Sequence, residues 1–217
     1  MEINLLENYP KAMRNVKERG ATKTEEDRKI ARQFGREFFD GERKHGYGGF
    51  NYHPKFWTPV VPAFQKKYAL TSESSLLDVG CAKGFMLHDF KEAIPGMRLR
   101  GIDISSYAIE NAMPSMQPFL QVGNVIELPF EDRSFDLVIA INTIHNLEQK
   151  ELIRALQEIQ RVSRGHSFIT VDAYHTAEEK ELMLDWNLTA KTILHVEEWK
   201  SLFQDIGYTG DYYWFIP

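Results

Sequence analysis

The run Leu76-Leu77-Asp78-Val79-Gly80-Cys81-Ala82-Lys83-Gly84 constrains the fold more than any other stretch of the chain. It reads as a buried apolar strand that breaks into a glycine-punctuated turn and then a helix, the opening of a parallel α/β sheet whose turn faces the ligand edge. Glycine serves there because a Cβ blocks the backbone angles or the approach of a ligand to the main chain. The spacing discriminates between ligands. A dinucleotide fingerprint needs G-x-G-x-x-G so that a pyrophosphate can rest on the helix N-terminus. Here the last glycine falls one position early, at Gly84, and Phe85 stands in the dinucleotide position. Asp78 at the strand end repels a pyrophosphate but suits an ammonium group, held directly or through water. Hydride transfer from a nicotinamide is disfavoured on this spacing.

From Leu70 onward strand and helix patterns alternate, which predicts a mostly parallel sheet with helices on both faces. Strands are expected at 75–80, 98–104, 119–124, 135–142 and 167–173, with a last one near 211–216. Helices are expected at 85–94, 105–112, 149–162, 178–186 and 196–206. The segment 188–195 offers one further strand. Residues 1–70 read as a cap over the ligand end of a core spanning 71–217, all within one domain. In the cap, Thr22-x-x-Glu25 predicts a capping box, and Ile30, Phe34 and Phe38 predict one helix ended by Gly41. The run from Arg43 to Phe64 is irregular and aromatic, with Gly48 and Gly49 suited to a lid.

Composition narrows the function. A net charge of −5 lacks the basic excess of a protein that tracks phosphates, which disfavours nucleic acid as partner. The single cysteine, Cys81, gives neither a disulfide nor a thiolate cluster, and no His/Asp/Glu group has metal-ligand spacing. No run approaches the roughly 18 apolar residues of a membrane span, and the start shows no targeting pattern, so the expectation is a cytoplasmic protein.

Four motifs occur in order. Asp78-x-Gly80-x-Ala82-x-Gly84 is followed by Gly101-Ile102-Asp103-Ile104, then Gly123-Asn124-Val125, then Leu128-Pro129-Phe130 through Phe135-Asp136-Leu137-Val138 leading to Asn142-Thr143-Ile144-His145-Asn146-Leu147. This order resembles the class I S-adenosylmethionine-dependent methyltransferases, with Ala82 in place of the middle glycine of D/E-x-G-x-G-x-G. The resemblance implies a three-layer Rossmann-like fold and S-adenosylmethionine as cofactor, released as S-adenosylhomocysteine. It implies that Asp78, Gly80, Cys81, Ala82 and Gly84 cradle the amino-acid part. Asp103 then binds the ribose, Ile104 lies on the adenine, Asn124 and Val125 border it, and Asn142 flanks the reacting end.

His145 is the imidazole placed to act as a base, or else a structural hydrogen-bonding residue at the strand end. Tyr47, Tyr52 and Trp57 are candidates for the acceptor pocket or for cap packing, and Tyr174, with Asp172 and His175, borders the same crevice. Arg43 and Lys83 are candidates for a carboxylate contact. The phrases Phe39-Asp40-Gly41-x-Arg43 and Gly207–Tyr212 are similar to bacterial methyltransferases of surface-polysaccharide or secondary-metabolite pathways. The acceptor expected is a small polar metabolite, such as a saccharide. Rival readings are transfer to protein or RNA, and a protein that binds the cofactor without transferring a methyl group.

Overall fold

Strand β1 (Ser75–Val79) is buried along its whole length, as its run of apolar residues requires of a strand covered on both faces. In the computed structural model, which describes residues 1–10, 16–48 and 51–217, it pairs with β2 (Arg98–Asp103) on one side. On the other side it pairs with β4 (Phe135–Ile141). The short β3 (Leu120–Val122) extends the sheet beyond β2, and β5 (Ser163–Tyr174) lies beyond β4. The order β3-β2-β1-β4-β5 reverses direction at β1, and ligands of open α/β sheets bind above such a switch point.

The far edge of β5 departs from expectation. Two short strands share it: β6 (Leu194–His195) pairs with Ala173 and Tyr174, while β7 (Asp211–Phe215) pairs with 168–172. Both run parallel to β5. The start of the chain then covers β7, because Ile3 N–H donates to the Tyr212 carbonyl and Tyr212 N–H to that of Met1. Covering an edge in this way removes a template for aggregation.

The helices around the sheet are α4 (Val61–Tyr68), α5 (Phe85–Ala93), α6 (Ser106–Glu110), α7 (Gln149–Val162), α8 (Ala177–Trp186) and α9 (Val196–Asp205). Helix α7 directs Leu152, Leu156 and Ile159 onto one face of the sheet, where Trp199 and Phe203 of α9 join them. On the other face Leu87 and Phe90 of α5 meet Phe64 of α4, whose ring packs edge-on against Phe90 and Phe168. Each such large side chain stabilises the fold by about 1.5–3 kcal/mol through burial. Helix α4, although within the first seventy residues, is therefore part of a core layer and not of a lid.

The rest of the cap is built from α1 (Val16–Ala21), α2 (Glu25–Ala31) and α3 (Arg36–Asp40). The single helix expected through Phe38 is broken at Phe34, whose φ is +48°. The break follows a tertiary contact, since the Phe34 carbonyl turns to accept from Ser105 Oγ at the end of β2. The capping box also sits two residues later than expected: Thr24 Oγ1 accepts from Asp27 N–H, and the Asp27 carboxylate accepts from Thr24 N–H. Gly41 ends α3 as anticipated. Gly49 and Phe50, part of the expected lid, lie outside the described residues.

Candidate active site

At the carboxyl end of β1 the chain turns sharply, with Gly80 and Cys81 N–H both donating to the Ile102 carbonyl. Gly80 has φ +78°, and a Cβ there would overlap the Thr143 side chain. Ala82 is also left-handed, at φ +48°, which explains why glycine is usual at this position and assigns the alanine a strain of about 1 kcal/mol. Gly84 caps α5 at φ +78°, and a Cβ on it would press on Leu120 and Met116. Its role is helix-to-strand packing, and it does not line the cleft as expected.

The turn is held from behind by Asp103. Its two carboxylate oxygens accept from Ala82 N–H and Ser105 N–H, each at 2.8 Å. Burial pushes its carboxyl above the usual range, opposed by those two bonds. Asp78 is buried too, and desolvation, with the nearby Asp103 charge, pushes it up to about 7. Among the described residues no cation pairs with either carboxylate, a costly arrangement that a positive ligand relieves. Cys81 is no nucleophile, because burial and then the charges of Asp78 and Asp103 push its thiol up.

Above the strand ends lies an open cleft of about 1810 Å³. Asp78, Gly80, Cys81, Ala82, Asn142 and His145 border it, and Tyr47 and Trp57 reach it from the cap segment. Asp103, Ile104, Asn124 and Val125 do not. Ile104 stands exposed at the β2 end, Asn124 spends its side-chain carbonyl on Ile126 N–H, and Val125 packs into the core. Helix α3 is fastened on this side: Asp40 accepts from Lys83 Nζ at 2.5 Å and from Tyr107 OH at 2.7 Å. Lys83 thus serves the cap. Tyr52 also lies outside the cleft, its hydroxyl donating to Asp89, and Tyr174 rests against the His195 ring instead.

The third wall comes from β4 and β5. Asn142 sits at φ +51°, with its N–H donating to Thr170 Oγ1 and its side-chain carbonyl accepting from that hydroxyl, both at 2.8 Å. His145 Nδ1 accepts from Asp172 N–H at 3.0 Å, so the neutral ring carries its proton on Nε2. Burial pulls this imidazole down to about 3. A ring with its lone pair committed to the backbone and its proton on the other nitrogen is a donor, which does not fit the base expected of it.

The Asp172 carboxylate lines the same cleft, 3% exposed, and burial raises it to about 7. Tyr47 and Trp186, stacked at 5.5 Å, line the same cleft. Tyr47 is fixed by Leu188 N–H and Thr189 N–H, which donate to its hydroxyl. Trp186, Thr170 and Thr189 were invisible as site residues in the sequence, since only the folded order of β5 and α8 brings them to the cleft.

A family model described as a methyltransferase domain matches residues 77–171, from β1 through most of β5. That stretch of the chain is similar to a methyltransferase domain. Among curated proteins, the chain is 31% identical over 136 residues to a putative methyltransferase of Encephalitozoon cuniculi, covering 56% of the chain and 61% of the relative. It spans about three fifths of the length of the first curated relatives it matches. Two solved structures share its fold. One is an S-adenosylmethionine-dependent methyltransferase from Archaeoglobus fulgidus, with a TM-score of 0.52 and 22% identity over 69% of this chain and 68% of that one. The other is the [4+2]-cyclase SpnF, with a TM-score of 0.55 and 19% identity over 74% of this chain and 60% of that one.

Proposed function

We propose that the protein is an S-adenosylmethionine-dependent methyltransferase acting on a small polar molecule in the cytoplasm. The observation that carries this reading is the pair of buried carboxylates, Asp78 and Asp103, around the turn at Gly80 that borders the cleft. Such a pocket suits a ligand with an ammonium and a sulfonium group and opposes a pyrophosphate. The fit assigns the ammonium to Asp78, the amino-acid backbone to Gly80, Cys81 and Ala82, and the ribose hydroxyls to Asp103, whose oxygens retain lone pairs beyond the two backbone bonds.

The bound cofactor supplies a methyl group already activated by its positive sulfur. This chain's residues contribute alignment, exclusion of water and a place for an acceptor proton. Asn142, locked by Thr170, shapes the floor beside β4, and His145 donates from Nε2. Tyr47 and Trp186 exclude water from the acceptor side. Ile104, Asn124 and Val125 belong to the adenine end in this reading, on the edge where α3 is fastened. Among the described residues no helix is long and apolar enough to cross a membrane.

A second reading, cofactor binding without methyl transfer, is favoured by the hydrogen bonding that disqualifies His145 as a base and by the fold shared with a named cyclase. Incubation with methyl-tritiated cofactor and a small-metabolite extract separates the two. Label in a small product, lost in Asp78→Ala, supports methyl transfer. Tight cofactor binding with no labelled product supports the second reading.

A further inference from the structure

We propose that the acceptor is a small cationic amine, paired through its ammonium with the Asp172 carboxylate in the cleft. This rests on the methyltransferase reading and names the substrate class of that site. Among the described residues no donor bonds the Asp172 carboxylate oxygens. Its nearest basic group, His145 Nδ1 at 3.4 Å, has no proton to offer while it accepts the Asp172 N–H. Asp172 is nevertheless almost wholly buried and faces the cleft. A carboxylate in that setting is costly unless a cation or a proton reaches it.

Among the described residues, the cations along the cleft do not supply the missing charge. Lys83 is tied to Asp40, while Lys17 and Arg43 stand exposed at the rim. The cofactor's ammonium belongs at the β1 end. The pairing of Ile141 with Thr170 places Asp172 two strands across and two residues further along, about 12 Å from Gly80 at the usual strand spacing and rise. The charge that answers Asp172 therefore comes from the acceptor. An ammonium there meets the carboxylate in a cleft that Tyr47 and Trp186 also line. Loss of its proton to Asp172 leaves a neutral amine with a free lone pair and a neutral carboxylic acid, and charge and protons balance. Burial, which raises the Asp172 carboxyl to about 7, suits that exchange near neutral pH. An anionic acceptor is repelled, and a neutral alcohol forgoes the ion pair.

The test is calorimetric titration of the full chain at pH 8, with and without saturating S-adenosylhomocysteine, using 2-phenylethylamine and tyramine beside their isosteric alcohols, 2-phenylethanol and tyrosol. The expected result is at least about tenfold tighter binding of an amine than of its alcohol, the scale of a charge-assisted hydrogen bond. Asp172→Asn should shrink that preference to within about twofold while leaving S-adenosylhomocysteine affinity unchanged. Equal binding of amine and alcohol in both pairs, including no binding of any, overturns the proposal. So does an amine preference that survives in Asp172→Asn. The wild-type ratio decides even if the variant fails to fold. Failure of S-adenosylhomocysteine to bind while the amine preference holds counts against the methyl-transfer reading alone.

Discussion

Replacing Asp78 with asparagine should make the ligand-free protein more stable at alkaline pH and nearly unchanged at acid pH. Burial and Asp103 raise the Asp78 carboxyl from 3.8 to about 7 in the folded state. Between those values the folded protein holds a proton that the unfolded chain has released, so stability falls as pH rises, by about 1.4 kcal/mol per pH unit. Below 3.8 both states are protonated and there is no effect; above about 7 both have lost the proton and the full penalty, about 4 kcal/mol, is in place. Asparagine matches the neutral acid in shape and carries none of this penalty. Urea unfolding of wild type and Asp78→Asn at pH 5 and pH 8 should therefore give a stability difference larger by about 3 kcal/mol at pH 8. The same substitution should weaken S-adenosylmethionine binding, because the buried charge is retained for the ammonium it meets. A stability difference equal at the two pH values would refute the reasoning, since it would mean that Asp78 ionises in the fold as easily as in water.

Gly80→Ala should cost about 2 kcal/mol or more in urea unfolding and abolish cofactor binding in calorimetry, because φ +78° is strained for alanine and the new Cβ meets Thr143. Ala82→Gly should have the opposite sign, a gain of about 0.5 kcal/mol in the same unfolding assay, as relief of left-handed strain outweighs the added freedom of the unfolded chain. Glu158→Ala should destabilise by about 3 kcal/mol in urea unfolding, since it strips buried partners from Arg161 and from Leu128 N–H. Wild-type affinity for S-adenosylmethionine should rise with pH from 5 toward about 7, read by titration, because an ammonium beside Asp78 binds the ionised form, and should fall again above about pH 8 as the ligand's α-ammonium loses its proton.

The sheet was legible because its signals are local. β1 announces itself by an unbroken apolar run and its turn by glycines, and α7 spans the same fourteen residues that its apolar periodicity marks. The cap was less legible. Nothing in the spacing of Ile30, Phe34 and Phe38 tells that Ser105, seventy-one positions away, claims the Phe34 carbonyl and breaks the helix. The parallel hydrogen bonding of β6 and β7 likewise depends on which length of β5 each one meets. At the site, residue types were readable but protonation was not. His145 reads in sequence as either a base or a structural hydrogen-bonding residue, and only Asp172 N–H on Nδ1 favours the second; Asp172 reads as a crevice residue, but its burial is visible only in the fold.

Calorimetric titration with S-adenosylmethionine, S-adenosylhomocysteine and NAD, run side by side on the full chain, tests the central claim most directly. The account predicts that both adenosyl ligands bind and that NAD does not, because Asp78 and Asp103 present buried negative charge where NAD would bring a pyrophosphate. Binding of NAD with no heat from either adenosyl ligand would contradict it.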